Sequence, residues 1–264
     1  MAKIDVLSML PEELESFALE IGEKKFRGKQ IFEGLYRGAT EFSQITNLPK
    51  SLIAKLDETA EIRGMTTERM LVSKLDGTVK FLFGLQDGEA VESVFMRYKH
   101  GNTLCISTQV GCRMGCAFCA STKAGLKRSL LPSEMLLQIL CAQRETGEAV
   151  SNVVLMGMGE PLDNYDNVLD FLRKAQNEKG LGISYRNISL STCGLAEKVI
   201  QLSEEKLPIT LSISLHSPFD SQRSEMMPVN RKYPLDKLLD ACNIYTLSTG
   251  RRITYEYALI EGVN

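Results

Sequence analysis

The first part of the chain carries apolar residues at helical spacing in three successive stretches. The stretches are LPEELESFALEIG, FRGKQIFEGLY and, after a Pro-bounded turn, LPKSLIAKLDETA. An apolar stripe that returns every three or four residues is typical of a helix with one buried face. The pattern predicts a small helical domain over residues 1–62.

Near Met65 the pattern changes to short runs rich in β-branched and aromatic residues. The runs KFLFGL, AVESVFMRY and TLCISTQ are separated by turn signals such as DG and HGN. Apolar runs of this length between turn residues indicate strands. Residues 63–102 are therefore predicted to form a β-rich extension.

Helix and strand patterns alternate through residues 103–264. Strands are predicted at NVVLMG, RNISLS, ITLSISLH and RITYEYALI, and helices at Ser133 to Thr146, NYDNVLDFLRKAQ, LAEKVIQLSEE and PLDKLLDACNIYTL. Alternation of this kind predicts an α/β fold, with a parallel sheet and right-handed crossovers, either open or closed into a barrel.

Unusual residues follow the strands of this series. In parallel α/β folds the chemistry lies at the carboxyl ends of the strands. Here those ends carry a cysteine-rich loop, GMGEP, STCG and SLHSP. The sequence therefore predicts that four consecutive strands bring their ends together at one site.

Composition and charge limit the classes of protein to consider. The chain has 264 residues, a net charge of −2 and seven cysteines. Acidic residues come too early for a signal peptide, and no apolar run approaches the roughly 18 residues of a membrane span. An odd cysteine count with three thiols in one loop favours metal or redox chemistry in a reducing compartment over a disulfide framework. We predict a cytoplasmic protein without membrane contact.

The cysteine loop, QVGCRMGCAFCAS, has the spacing C-x3-C-x2-C. A structural zinc site usually has four ligands in two separated pairs, and the chain has no second pair of this kind. Three thiolates suit a [4Fe–4S] cluster whose fourth iron is left for a ligand that is not protein. The cluster is favoured, and structural zinc stays an alternative.

The loop and its surroundings resemble the radical S-adenosylmethionine (SAM) superfamily, in which that open iron binds SAM. Nearly the whole chain is similar to the RlmN/Cfr family of RNA adenine methyltransferases. The matching blocks, in family order, include FRGKQIFEGLY, LPKSL, VESVFMRY, TLCISTQVGC, GMGEPLDNYDNV, LSTCG, SISLHSPFDSQRSEMMPVNRKYPL and TYEYALIEGVN. STQVGCRMGCAFC and RRITYEYALIEGVN look more like the branch that methylates C2 of adenine than the branch that methylates C8.

The resemblance implies a partial (β/α)6 TIM-like barrel over residues 103–264, preceded by an RNA-binding helical accessory domain and the β extension. It also implies a cluster ligated by Cys112, Cys116 and Cys119. By similarity, the SAM site would consist of Gly159, Glu160, Ser191, Ser214 and His216. Without the resemblance, the two serines also read as strand-end caps and His216 as a structural histidine.

Two further residues match catalytic positions of the family. Glu92 corresponds to the proposed base that removes the C2 proton, and Cys105 to a thiol that releases the product by forming a disulfide. By pattern alone, Glu92 reads as a solvent-facing strand residue and Cys105 as a small core residue. Cys141 and Cys242 are predicted to pack in the core, and Cys193 reads as a neutral replacement for the Ser or Thr expected there.

Basic residues recur along the chain without a global positive charge. The cluster in EKKFRGK, in the domain that resembles an RNA-binding module, is the strongest phosphate-binding candidate. Other candidates follow the cysteine loop at Lys123, Lys127 and Arg128, and Phe26 and Tyr233 are candidates for base stacking.

The resemblance implies a reaction and its partners. It predicts radical methylation of adenosine C2, through a methylated cysteine, in 23S rRNA at the peptidyl-transferase centre and in tRNA next to the anticodon. A low-potential donor such as flavodoxin or ferredoxin would supply electrons. The alternatives are a C8 methyltransferase and an inactive RNA-binding remnant. Because YALIEGVN follows only the fifth strand of the series, we expect a C-terminally incomplete barrel here, and a monomer when full length.

Overall fold

In a computed structural model that describes residues 3–264, the chain forms eight α-helices and twelve strands. The helices are α1 (Pro11–Glu20), α2 (Phe26–Tyr36), α3 (Lys50–Thr59), α4 (Pro132–Thr146), α5 (Tyr165–Gln176), α6 (Ala196–Glu204), α7 (Asp220–Met226) and α8 (Leu235–Thr249). The strands are β1 (Ile4–Asp5), β2 (Ala60–Glu61), β3 (Thr66–Val72), β4 (Val79–Gly84), β5 (Ala90–Tyr98), β6 (Gly101–Cys105), β7 (Gln109–Gly111), β8 (Leu126–Ser129), β9 (Asn152–Leu155), β10 (Ile188–Thr192), β11 (Thr210–Ser214) and β12 (Ile253–Glu256).

Eight strands form one continuous sheet. Their order is β12-β11-β10-β9-β6-β5-β4-β3. The first five are parallel to one another, and β5, β4 and β3 continue the sheet in antiparallel pairing. The predicted β extension therefore shares its sheet with the α/β series, and the predicted α/β fold with crossover helices is confirmed.

The two faces of this sheet differ in chemistry. One face packs against helices through buried residues such as Phe95, Leu104, Leu155, Leu190 and Ile213. Because side chains alternate across a strand, the neighbouring positions point the other way. We call this second side the polar face, and it is defined by Glu92, Cys105, Ser191, Ser214 and Glu256.

The helical N-terminal segment packs on the rest of the chain. Its helices α1, α2 and α3 lie where the apolar stripes predict them, and their buried residues belong to the same hydrophobic cluster as the sheet core. The backbone N–H of Ser133, in the first turn of α4, donates to the hydroxyl of Ser8 at 3.2 Å. The segment is therefore joined to the sheet layer by both apolar and polar contacts.

The structure adds elements that the sequence pattern does not reveal. Strand β3 is missed because all but one of its seven side chains are exposed, and α7 is missed because only Arg223 and Met226 of its residues are buried. The run TLCISTQ, read as a single strand, divides into β6 and β7, and β7 pairs with β8 in a separate two-stranded ribbon. None of the helices within residues 3–264 combines the length and the apolar character that crossing a membrane requires.

Candidate active site

A pocket of about 300 Å³ lies at the carboxyl end of the parallel strands. All four segments that were predicted to meet there contribute to its walls. Of the ten candidate residues, eight line it: Cys112, Cys116, Cys119, Gly159, Glu160, Ser191, Ser214 and His216. Glu92 and Cys105 lie outside the lining.

The cysteine loop leaves the sheet through the β7–β8 ribbon. Its two ends are held together, because the N–H of Cys112 donates to the carbonyl of Gly125 at 3.2 Å. Inside the loop, the N–H of Ala117 donates to the carbonyl of Met226 at 2.8 Å, which seats the loop on the end of α7. The sequence pattern gives no sign of either support.

The three loop thiols are close enough to affect one another. Burial raises the pKa of Cys112, and it raises that of Cys116 to about 12, with the charges of the neighbouring cysteines and of Glu160 adding to both effects. Clustered thiols in partly apolar surroundings disfavour the bare thiolate form. A bound cationic centre would reverse that preference, as metals do for coordinating thiols.

The loop after β9, GMGEP, lies against the loop after β6. Gly159 has a φ of +102°, and a Cβ placed there would be 2.6 Å from the Cβ of Gln109. At Gly157 a Cβ would be 2.7 Å from the carbonyl oxygen of Ile106. Glycine is required at both positions because the two backbones approach so closely.

Glu160 is 3% exposed, and its carboxylate joins two loops. One oxygen accepts the N–H of Leu162 at 3.0 Å, and the other accepts the N–H of Cys193 at 2.8 Å. Burial raises the pKa of Glu160, and these hydrogen bonds oppose that shift. The side chains of Thr192 and Cys193 also hydrogen-bond to this carboxylate, which fixes its orientation at the pocket wall.

The carboxyl ends of β10, β11 and β12 bring two serines and a glutamate together. The hydroxyl of Ser191 donates to Oε2 of Glu256 at 2.7 Å, and the hydroxyl of Ser214 donates to the same atom at 3.2 Å. Sequence reasoning missed Glu256, because an acidic residue in RITYEYALI reads as the outward side of a strand. The pairing of Ser214 with Glu256 between β11 and β12 is what brings it into the pocket.

His216 is held in an unusual backbone conformation. Its φ is +56°, in the left-handed region that non-glycine residues rarely adopt. Nδ1 accepts the N–H of Ala258 at 3.0 Å, so in the neutral ring the proton is on Nε2. The ring of Phe118, in the cysteine loop, meets the imidazole edge-on at 5.0 Å, and burial lowers the pKa of His216. Nε2–H is left as the donor that this ring can offer a ligand.

Glu92 and Cys105 lie on the polar face, on the two strands β5 and β6. Oε1 of Glu92 is 2.7 Å from Nζ of Lys80, and both side chains are about half exposed. Cys105 pairs with Val94 on one side and Val154 on the other, and burial raises its pKa to about 11. The structure thus brings these two residues near each other but not into the pocket.

Arg223 is a buried residue whose contacts sequence reasoning did not predict. It is 0% exposed, and its guanidinium donates to the carbonyls of Cys193, Ser214 and Leu215 at 2.8 to 3.1 Å. It also donates to the side-chain oxygen of Asn230 at 2.6 Å. Arg223 therefore ties the ends of β10 and β11 to α7, directly beneath the pocket.

The remaining cysteines lie where packing would place them, and the seven thiols are all free. Cys141 and Cys242 are each 2% exposed in the main core, as predicted. Cys193 lies in a smaller cluster with Met226 and Met227, against Cys116. It is thus next to the pocket, and burial raises its pKa far above the usual value.

Two of the basic and aromatic predictions fail. Tyr233 is only 3% exposed, and its hydroxyl donates to Glu197, so it is not free to stack on a base. Arg128 is paired with Asp87 and Glu134 rather than open to phosphate. Phe26 is 49% exposed, and the guanidinium of Arg27 lies 4.7 Å from its ring centre. Phe26 therefore remains a candidate for base stacking.

A larger cleft of about 630 Å³ lies between the helical segment, the antiparallel strands and α4. Its lining includes Arg37, Arg63 and Arg144, but none of the ten candidate site residues. Because eight of them line the strand-end pocket instead, we assign the candidate active site to the smaller cavity.

The donor set of the pocket fits an iron–sulfur cluster and a nucleoside cofactor. Within residues 3–264, no three His, Cys, Asp or Glu side chains are arranged around one point to hold a single metal ion. A [4Fe–4S] cluster does not need such convergence, since each cysteine binds a different iron. The hydroxyls, imidazole and carboxylates beside the cysteines supply polar partners for a ligand on a fourth iron.

Two families of known sequences match the chain. The radical SAM superfamily matches residues 106–264, and the "Ribosomal RNA large subunit methyltransferase N-terminal domain" matches residues 4–62. Together the two matches cover the helical segment and the α/β series.

Curated relatives match over the full chain. A probable dual-specificity RNA methyltransferase RlmN of Alkaliphilus oremlandii is 52% identical over 264 residues, which is 100% of this chain and 77% of the relative. A protein of the same name from Clostridium tetani is 51% identical over 99% of this chain and 75% of its own length.

A solved structure agrees with these relatives. The crystal structure of a radical SAM methyltransferase from Sphaerobacter thermophilus has a TM-score of 0.93 and 39% identity, and the match covers 99% of this chain and 78% of that one. Sequence, fold and the composition of the pocket thus agree, and the chain belongs to the RlmN family of radical SAM methyltransferases.

Proposed function

We propose that the chain is a radical SAM enzyme that methylates C2 of adenosine in 23S rRNA and in tRNA. The observation that carries the proposal is the pocket in which the three loop cysteines, the GMGEP loop, two strand-end serines and His216 meet. The RlmN relatives, named as dual-specificity RNA methyltransferases, support RNA as the substrate.

The cofactors in this proposal are a [4Fe–4S] cluster and SAM. Cys112, Cys116 and Cys119 would hold the cluster, and the strand-end residues would hold SAM. When bound, these two groups would supply radical chemistry, by which a carbon can be methylated although it has no lone pair to attack a methyl group. The chain's own residues bind the cofactors, position the base and move protons.

Glu92 and Cys105 take the later roles in the proposal. Glu92 would remove the C2 proton of the adduct. The thiolate of Cys105 would then attack the sulfur of the methyl-carrying cysteine that the family resemblance implies, so that an S–S bond forms as the bond from that sulfur to the product carbon breaks and its electron pair leaves with the product. Glu92 and Cys105 both lie on the polar face, on adjacent strands, and so can meet the same base. The base must leave its stack to reach them, as in other enzymes that modify bases.

The second candidate, a C8 methyltransferase, would use the same pocket. The blocks STQVGCRMGCAFC and RRITYEYALIEGVN, which look more like the branch that methylates C2, favour the first candidate. A third candidate, an RNA-binding remnant, is favoured only by the exposed pair of Phe26 and Arg27 on the helical segment.

Anaerobic reconstitution with iron and sulfide tests the cofactor part of the proposal. We expect about four irons per chain, a cluster spectrum that changes when SAM is added, and 5′-deoxyadenosine after reduction. Cys112→Ser is the matched variant and should lose all three. A tightly held zinc with no cluster would contradict the proposal.

Mapping of the RNA product tests the substrate part. The expected product is 2-methyladenosine in rRNA and tRNA fragments. Formation of 8-methyladenosine would instead establish the second candidate. RNA binding without SAM cleavage would establish the remnant.

A further inference from the structure

The side chain of Glu256 faces the strand-end pocket. Within residues 3–264, no Lys, Arg or His nitrogen lies within 4.0 Å of its carboxylate. Its contacts are the hydroxyls of Ser191 at 2.7 Å and Ser214 at 3.2 Å. A partly buried carboxylate is usually paired with a cation, so its placement beside two hydroxyls calls for a structural or functional explanation.

The backbone fixes the position of this carboxylate. The carbonyl of Glu256 accepts the N–H groups of Leu215 and His216 at 3.0 and 3.2 Å, which continues the β11–β12 pairing past the end of the strands. Ser191, Ser214 and Glu256 therefore sit on three adjacent strands, at the same end and on the same face of the sheet.

The hydrogen-bond chemistry of this corner follows from its donors and acceptors. A carboxylate has acceptor sites only, whereas each hydroxyl has one proton to donate and two lone pairs. The carboxylate can only accept, so both serine protons are directed to Oε2 of Glu256, and the contact between the two hydroxyls, at 3.4 Å, is the longest of the three. Towards a ligand, Ser191 and Ser214 then present lone pairs alone.

We propose that Glu256 is a positioning residue that makes Ser191 and Ser214 a paired acceptor site for the two ribose hydroxyls of SAM. The inference rests on the proposed function, since it takes SAM as the ligand of this pocket. A vicinal diol has two neighbouring donors, which match two neighbouring acceptors. The SAM carboxylate is an acceptor, so it is excluded from this corner and must bind elsewhere in the pocket.

The test measures equilibrium binding to the reconstituted full chain of SAM and of two analogues, one without the 2′-hydroxyl and one without the 3′-hydroxyl. Glu256→Gln keeps the shape of the side chain but adds an amide donor. We expect it to weaken SAM binding by roughly 10-fold or more, the range expected for hydrogen bonds that involve charged groups. Its effect on each analogue should be smaller than its effect on SAM, because one of the two donors that it disturbs is already missing.

Glu261→Gln is the control variant. Glu261 is exposed, and the substitution removes the same charge five residues further along the chain. It should leave the affinities for all three ligands unchanged. Iron content and the melting temperature of each variant show whether its fold and cluster are intact.

Three results would overturn the inference. One is wild-type affinity of Glu256→Gln for SAM, and another is an equal loss for SAM and both analogues, since either separates Glu256 from the ribose hydroxyls. The third is absence of SAM binding by the wild-type chain, which would refute the proposed function as well. If Glu256→Gln does not fold, Ser191→Ala provides the same comparison, and the expected result is a loss for SAM that disappears with one of the analogues.

Discussion

At the scale of single residues, the thiol of Cys105 is not activated as a nucleophile by its surroundings in the folded chain. Burial raises its pKa to about 11, so the neutral thiol predominates in the folded protein. The thiolate is the reactive form. In the proposed reaction, Cys105 therefore has to lose its proton at a late stage, when substrate alters its surroundings.

The prediction for Cys105 concerns its rate of alkylation by iodoacetamide. Between about pH 7 and pH 10 the thiolate fraction of a group with this pKa rises about tenfold for each pH unit, and the rate should follow it. Peptide-level mass spectrometry gives the rate for Cys105 alone, and the denatured chain provides the comparison. A rate that levels off near neutral pH would show that the thiol is already activated.

The prediction for Glu92 separates catalysis from stability. Glu92→Gln should change the free energy of unfolding by less than about 1 kcal/mol, because its ion pair with Lys80 is half exposed. SAM cleavage should continue, since Glu92 does not line the pocket, while RNA methylation should fall by roughly 10² or more.

The control for Glu92 is Lys80→Gln, which removes the same ion pair but keeps the carboxylate. It should retain far more methylation than Glu92→Gln. Equal losses in the two variants would mean that the ion pair, and not the carboxylate, is what the reaction needs.

At the scale of elements, the loop after β9 depends on Gly159. Gly159→Ala adds a Cβ that would be 2.6 Å from Gln109, at a φ of +102°. We expect a loss of about 2 kcal/mol or more in the free energy of unfolding, together with weaker SAM binding. Urea denaturation and equilibrium dialysis measure these two effects.

Gly125→Ala is the comparison for Gly159→Ala. Gly125 has a φ of +68°, but nothing lies within 4 Å of a Cβ placed there. It should therefore show only the backbone cost, about 1 kcal/mol. If both variants lose the same stability, the close approach to Gln109 is not important.

Helix α7 supports the pocket through Arg223. Arg223→Met would remove one donor from each of three strand-end carbonyls, and we expect a loss of about 3 kcal/mol or more in the free energy of unfolding. Thermal melting measures this loss, and iron counting after reconstitution should show less cluster. Arg173→Met, which removes a half-exposed arginine with surface ion pairs, should cost less than about 1 kcal/mol.

The sequence predicts elements well where burial is periodic. Strands β10 and β11, read as ISLST and TLSIS, alternate apolar and hydroxyl residues, and so their two faces can be assigned without a structure. In contrast, β3 and α7 offer few buried apolar positions. Pattern reasoning detects an element through the face that it buries, and these two elements bury little or bury a charge.

The candidate site is predictable to a similar extent. The motif spacing identifies the cysteines, and the strand ends identify the serines and His216. Glu256 and Arg223 could not be found in this way, because each acts through contacts with residues 8 to 65 positions away. Only the register of β11 with β12 and the position of α7 reveal them.

At the scale of the whole molecule, we expect the cluster to stabilise the fold. A group that binds only the folded chain raises its stability in proportion to the logarithm of its concentration over Kd. The reconstituted protein should therefore melt roughly 5 °C or more above the cluster-free form, as differential scanning calorimetry can measure.

Two cysteine variants test this prediction. Cys112→Ala should show no gain on reconstitution, because it removes a proposed ligand. Cys141→Ala removes a buried thiol outside the pocket, and it should keep the full gain even if its baseline is lower. A gain in Cys112→Ala would mean that iron binds somewhere else.

The continuous sheet also fixes the distance between residues that take part in the proposed reaction. Cys105 on β6 pairs with Val154 on β9, which pairs with Ser189 on β10, so Ser191 lies two residues further along its strand. Two strand spacings of about 4.8 Å and two residues of about 3.3 Å each put Cys105 and Ser191 roughly 12 Å apart. Backbone hydrogen bonds set this interval, and movement of a loop does not alter it. A relative that attacks a different carbon of the base would therefore need side chains of different length on β5 and β6, over an unchanged spacing of strands.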